Sequence, residues 1–162
     1  MRTFPDPSDP QLDLELQYII NASRDAVWRA WEDPELFAKW WLPEPMHARV
    51  DQLELRVGGP LVTQMSEDGQ TFVPHMNALF LEAQQGESIV FTNALDSAGR
   101  PARPEPVAIT AEFALSDHPD GTLYKVRVRH ASADDRAVHE RLGFHEGWGA
   151  VIAALARVAE SL

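Results

Sequence analysis

Four polar side chains stand among positions that otherwise read as strand: His75, Asn77, Asn93 and His130. A histidine titrates near neutrality, so His75 or His130 held in an apolar site would suit a general base for a cyclisation or dehydration. That chemistry needs a carboxylate or hydroxyl close by. Glu112 falls on the outward parity of its strand, and the chain offers no other clear partner. An asparagine turned inward must be hydrogen-bonded or cost about 1–3 kcal/mol. A wetted strand end would satisfy it, and so would a cavity holding water or ligand. His139-Glu140 and His145-Glu146 look superficially like a zinc motif, but the metalloprotease arrangement needs histidines four apart on one helical face. Here they stand six apart with Gly143 between them, ~240° around a helix, which reads as a solvated face. The chain has no cysteine, hence no thiolate nucleophile and no Cys-based zinc or iron–sulfur site. It has no phosphate-cradling glycine loop, serine nucleophile elbow or dinucleotide fingerprint, and Gly58-Gly59-Pro60 is a turn. The residues imply no metal, no cofactor and no catalytic signature, so a binding protein is favoured over an enzyme.

These side chains depend on the elements that carry them. Residues 12–20 alternate, with Leu12, Leu14, Leu16, Tyr18 and Ile20 on one face and Asp13, Glu15 and Gln17 on the other, which predicts a half-buried strand. Ser23 is placed to cap a short helix with Ala26, Val27, Ala30 and Trp31 on its apolar stripe. Asp33 caps again, and Pro34 suits a first helical position. Leu36, Phe37, Trp40 and Trp41 then form the stripe of a second short helix, ended by Pro43 and Pro45. This stretch holds four of the five tryptophans and reads as the floor or lid of a cavity.

Strands follow. Residues 50–57 place Leu53, Leu55 and Val57 on one face, Gly58-Gly59 turns, and 60–65 return. Glu67-Asp68-Gly69 is a hairpin signal before a strand over 70–81, where Pro74 marks an edge or a bulge. In strand 88–93, Asn93 shares parity with Ile89 and Phe91. Residues 95–106 are long enough for a mobile loop or a cavity rim. Strand 107–115 turns Val107, Ile109, Ala111, Phe113 and Leu115 inward. Strand 122–130 turns Tyr124, Val126, Val128 and His130 inward, and Lys125, Arg127 and Arg129 outward. Residues 134–162 read as one helical run, weakened by Gly143, Gly147 and Gly149, with Phe144, Trp148, Ile152, Leu155 and Ala159 on one stripe.

The 162 residues have the length of one domain, assigned to 12–162 after a proline-rich, flexible lead-in over 1–11. A net charge of −11 would repel nucleic-acid phosphates and anionic membranes. No apolar run approaches the ~18 residues of a membrane span, and no secretory signal is visible. With the lack of cysteine, this fits a cytoplasmic protein. Strand, two short helices, about six strands and a long helix make an α+β order. A strongly curved antiparallel sheet wrapped around a long C-terminal helix leaves an interior cavity between them, closed at one end by the short helices.

The residues that mark this order are Ala26-Val27-Trp28-Arg29-Ala30-Trp31, Asp33-Pro34-Glu35, Trp40-Trp41, Gly58-Gly59, Leu81-Glu82, Ile89-Val90-Phe91-Thr92 and Gly147-Trp148. In order and spacing they resemble the START-like superfamily (SRPBCC, the helix-grip fold). More narrowly, they resemble the family named after the C-terminal domain of the activator of heat-shock-protein-90 ATPase. The resemblance spans residues 12–162 and implies a cavity that takes lipids, polyketides or other apolar molecules, with chemistry in some members such as the polyketide cyclases. The name-giving activator also uses a separate N-terminal domain, for which these residues leave no room. The strand before Leu81-Glu82 reads Pro74-His75-Met76-Asn77-Ala78 where family members often carry a glycine, so His75 and Asn77 look individual to this protein.

The site expected from this reading is lined by Trp40 and Trp41 of the second short helix, and by His75, Asn77, Phe91, Asn93, Ile109, Phe113, Val126 and His130 of the sheet. Phe144 and Trp148 of the last helix complete it. Its occupant would be a small, largely apolar molecule, oriented by the polar members. Two other functions stay open. One is an interaction module for a chaperone or another protein, and the other is a cyclase-like enzyme with a cavity histidine as base. The chain would act as a monomer or homodimer.

Overall fold

The computed structural model describes residues 7–162. The elements are β1 (Asp13–Ile20), α1 (Arg24–Glu32), α2 (Pro34–Phe37), β2 (His47–Leu53), β3 (Pro60–Ser66), β4 (Val73–Gln84), β5 (Ser88–Thr92), β6 (Thr110–His118), β7 (Gly121–Arg129), α3 (Ala133–Arg141) and α4 (Phe144–Glu160). The strands form one antiparallel sheet in the order β1-β7-β6-β5-β4-β3-β2. Strands β2 to β7 follow one another as a meander, so each pairs with its neighbour in sequence. The exception is β1, which closes on β7, and α1 and α2 carry the chain from one sheet edge to the other. This is the helix-grip architecture, with α4 packed on α1 and β1 across the apolar face.

Local chemistry sets the helix starts. Ser23 Oγ accepts from Ala26 N at 3.1 Å and Asp33 Oδ1 from Glu35 N at 2.9 Å, each satisfying an amide with no intrahelical partner. Pro34 opens α2, which makes a single turn before the chain continues in tight turns through Trp40 and Trp41. The run expected as one C-terminal helix is two. Gly143 adopts φ +91°, a left-handed conformation that ordinary residues avoid, and separates α3 from α4.

Several expectations are corrected. Tyr18 faces Tyr124 across the β1–β7 pair yet is 42% exposed, while Leu14 and Ile20 on the same face of this edge strand are buried, so the cover over that face is broken at Tyr18. Val57 is 66% exposed: β2 starts at His47 and ends at Leu53, and the chain then turns through Glu54, Arg56 and Gly59. Gly59 packs so tightly against Glu54 O in that turn that a Cβ would collide with it. Of the lead-in, residues 1–6 lie outside the described residues. Asp9 folds back, its N–H donating to Asp13 Oδ2 at 2.9 Å while its carbonyl accepts from Leu12 N and Asp13 N.

Glu112 is on the outer face as parity requires, but it is buried there. Arg129 Nε lies 2.9 Å and Arg127 Nη1 3.9 Å from its carboxylate, and Arg127 also reaches Glu15 at 3.2 Å. The arginine row is therefore engaged with carboxylates and is no basic patch. Among the described residues, no helix is long and apolar enough to cross a membrane.

Candidate functional site

A cavity of about 360 Å³ lies between the concave face of the sheet, the turns after α2, and α4. Rings in edge and stacked contact make up much of its wall. Trp41 meets Phe37 at 4.6 Å, Phe91 at 6.0 Å and His75 at 6.1 Å between centroids. Phe91 stacks on Phe113 at 5.8 Å, and Phe113 on Trp148 at 6.2 Å. Such rings give a large apolar surface with little rotamer freedom to lose.

The two adjacent tryptophans are held by their indoles. Trp40 Nε1 donates to Ala30 O at 3.0 Å, tying the turn to the end of α1. Trp41 Nε1 donates to Thr63 Oγ1 at 3.1 Å. The same hydroxyl lies 3.0 Å from His75 Nδ1, so Trp41, Thr63 and His75 form one chain. When the Thr63 hydroxyl donates to His75, the ring carries its proton on Nε2. A register shift brings His75 here. Thr63 opposes Met76 and Gln64 opposes Pro74, so His75 is the extra residue of a β-bulge. Pro74 has no N–H to offer a regular ladder, which fits the break. Burial lowers the His75 pKa to about 4, so the ring is neutral at pH 7.

Asn93 extends the β5–β6 ladder past its end. Its Oδ1 accepts from Ile109 N at 2.7 Å while its own N–H donates to Ile109 O at 3.2 Å. The bond to Oδ1 fixes the amide orientation. Asn93 Nδ2 is left as a donor with no hydrogen-bond partner among the described residues.

Nine of the twelve residues expected at the site line this cavity: Trp40, Trp41, His75, Phe91, Asn93, Ile109, Phe113, Phe144 and Trp148. Three do not. Asn77 is exposed and its Oδ1 accepts from Ser97 N at 2.7 Å, fastening the linker after β5 to β4. Val126 is buried in the core away from the cavity. His130 stands behind the wall, its Nδ1 2.8 Å from Leu12 O and its Nε2 2.8 Å from His139 Nδ1.

Pattern reading missed His139, assigned there to a solvated helix face. The break at Gly143 turns α3 back on the sheet, and His139 lines the cavity edge-on to Phe144 at 5.1 Å. The missed signal was that glycine, read as a weak point in one helix instead of the end of another. Thr63, the hydroxyl partner that a cavity histidine requires, was missed because its neighbour is made by the bulge. Tyr124, also on the wall, accepts from Trp31 Nε1 at 3.0 Å, and burial raises its pKa far above the usual phenol range. Glu105 and Pro106 of the long linker form part of the rim. Among the described residues, no group of three or more His, Cys, Asp or Glu could hold a metal ion.

A curved antiparallel sheet gripping a terminal helix around an aromatic cavity defines the START-like class. Within that class, the model of the Activator of Hsp90 ATPase homolog 1-like protein family matches residues 21–160, and the chain belongs to this family. A crystal structure of a Nitrosomonas europaea protein is 35% identical, covering 95% of this chain and 97% of that one with a TM-score of 0.83. Two solution structures share the fold at lower identity. One, from Arthrobacter aurescens, is 22% identical, covers 97% of this chain and 91% of that one, and has a TM-score of 0.79. The other, an AHSA1-like protein from Aeromonas hydrophila, is 21% identical, covers 93% of each chain, and has a TM-score of 0.63. No curated protein matches the chain.

Proposed function

We propose that this protein binds a small, largely apolar molecule in the cavity between the sheet and α4. The observation that carries this reading is the aromatic wall interrupted by few polar groups, among them His75 and Asn93. An apolar body would gain about 0.8 kcal/mol per buried methylene. A ligand carbonyl could accept from Asn93 Nδ2, or from His75 in its Nε2–H form, which would set its orientation.

Two other readings have observations of their own. Tyr18 and Ile19 are exposed on opposite faces of the edge strand β1, whose open edge, with the family name, favours an outer contact with a chaperone or another protein. The Thr63–His75 pair favours a cyclase-like reaction with His75 as base. Substitutions on β1 would impair the first and spare the cavity. The second requires turnover that is lost in His75→Phe while binding remains.

The test is a tryptophan-fluorescence titration with a panel of apolar compounds, run on the wild type and on Gly147→Leu. Gly147 lines the cavity on α4, and a Cβ built there meets nothing within 4 Å. Leucine at 147 starts its side chain in that open space, adds bulk to the cavity and improves helix propensity. Saturable quenching in the wild type, lost in the filled variant, supports the cavity reading. No response across the panel in either protein refutes it and moves the role to the outer surface.

A further inference from the structure

The hydrogen bonds behind the cavity wall have a direction. Leu12 O can only accept, so His130, 2.8 Å away, must donate through Nδ1–H. A neutral imidazole carries one proton, which leaves His130 Nε2 as an acceptor. His139 Nδ1 lies 2.8 Å from that nitrogen and must donate to it. His139 in turn keeps a bare lone pair on Nε2, and that nitrogen has no hydrogen-bond partner among the described residues. Both rings are neutral at pH 7. Burial lowers the pKa of His130, and burial followed by the neighbouring His130 lowers that of His139 to about 4.

We infer that His139 Nε2 is a fixed acceptor on the cavity wall that selects ligands carrying a hydroxyl or N–H donor, with His130 and the Leu12 carbonyl as the positioning groups that hold its tautomer. This rests on the cavity being the binding site. It adds a chemical requirement to that reading: an apolar body alone leaves the lone pair unmatched, and a donor on the ligand pairs with it. Leu12 lies next to β1, so the backbone leading into the first strand sets the polarity of a group on α3, more than a hundred residues further on.

Two measurements test this on the intact protein. Long-range 1H–15N correlation spectra of the imidazoles at pH 7 report the tautomers without any ligand. His130 should be protonated on Nδ1 and His139 on Nδ1, with a pyridine-type His139 Nε2. A protonated, pyrrole-type His139 Nε2 would overturn the inference. Titration by calorimetry then compares 2-naphthol with 2-methoxynaphthalene, which have the same ring system with and without a donor. One matched hydrogen bond corresponds to about tenfold in affinity, so 2-naphthol should bind about tenfold more tightly. In His139→Phe, which keeps a ring against Phe144 and Trp148, the ratio should fall to about one with the methoxy compound still bound. Equal affinities in the wild type would overturn the assignment of His139 and leave the cavity reading standing. Binding of neither probe would count against the cavity as a site for molecules of this class, and the assignment would fall with it.

Discussion

Replacing His75 by phenylalanine should change how stability responds to acid, by an amount that follows from its surroundings. His75 sits in the aromatic wall against Trp41, and burial lowers its pKa from 6.5 to about 4. In the unfolded chain the ring takes up its proton near pH 6.5, while in the folded protein it stays neutral down to about pH 4. Between these values the unfolded state binds more protons, so acid favours unfolding and stability falls as pH drops. A gap of about 2.5 pKa units corresponds to about 3 kcal/mol, of which about 2 kcal/mol should already be lost at pH 5. The assay is urea unfolding of wild type and His75→Phe at several pH values from 7.5 to 4. Loss of the Thr63 contact shifts the variant by the same amount at every pH, and all other titrating groups are shared. The difference in unfolding free energy between the two proteins therefore isolates the histidine. It should be flat above pH 7 and then move against the wild type by about 3 kcal/mol as the pH falls to 4. A difference that stays flat across the range would show that His75 is not held neutral by burial, and the account of this wall would fail.

Other perturbations have equally definite outcomes. Gly147→Ala should raise stability by about 0.5–1 kcal/mol through helix propensity, read from urea midpoints, since its Cβ enters open space. Trp41→Phe keeps a ring but removes the donor to Thr63. It should cost about 1–3 kcal/mol, and a change below 0.5 kcal/mol would mean the indole bond is not made. Glu112→Gln leaves Arg129 and Arg127 facing a neutral amide on the outer sheet face. The loss should be about 3 kcal/mol at pH 7, read from urea unfolding of the two proteins side by side. Asn93→Leu abandons the Ile109 amide and should cost about 1–3 kcal/mol, with earlier amide exchange at Ile109 as its signature.

Much of this architecture was legible in the chain because it is written in local periods and caps. The alternation in β6 and β7 put Phe113 and Tyr124 inward, and Ser23, Asp33 and Pro34 marked two helix starts. Inward parity also brought Phe91 and Asn93 to the site. What failed depended on contacts between elements distant in sequence. Tyr18 has the same parity as the buried Leu14 and Ile20, and only the packing of other elements over that face leaves it exposed. Asn77 and His75 are two residues apart, yet the bulge directs only His75 to the cavity. His139 looked solvated because a helix running straight through Gly143 would have carried it away. The left-handed turn there brings α3 back to the wall. His130 was sought as a cavity group and instead supports one.

The central claim is that the cavity itself holds the ligand. Native mass spectrometry of freshly purified wild type and Gly147→Leu, prepared side by side, tests it most directly. The account expects a co-purifying small molecule, or an adduct after incubation with the apolar panel, on the wild type, and a bare mass for the filled variant. The same adduct on both proteins would place the molecule outside the cavity. A bare wild type across the whole panel would contradict the claim outright.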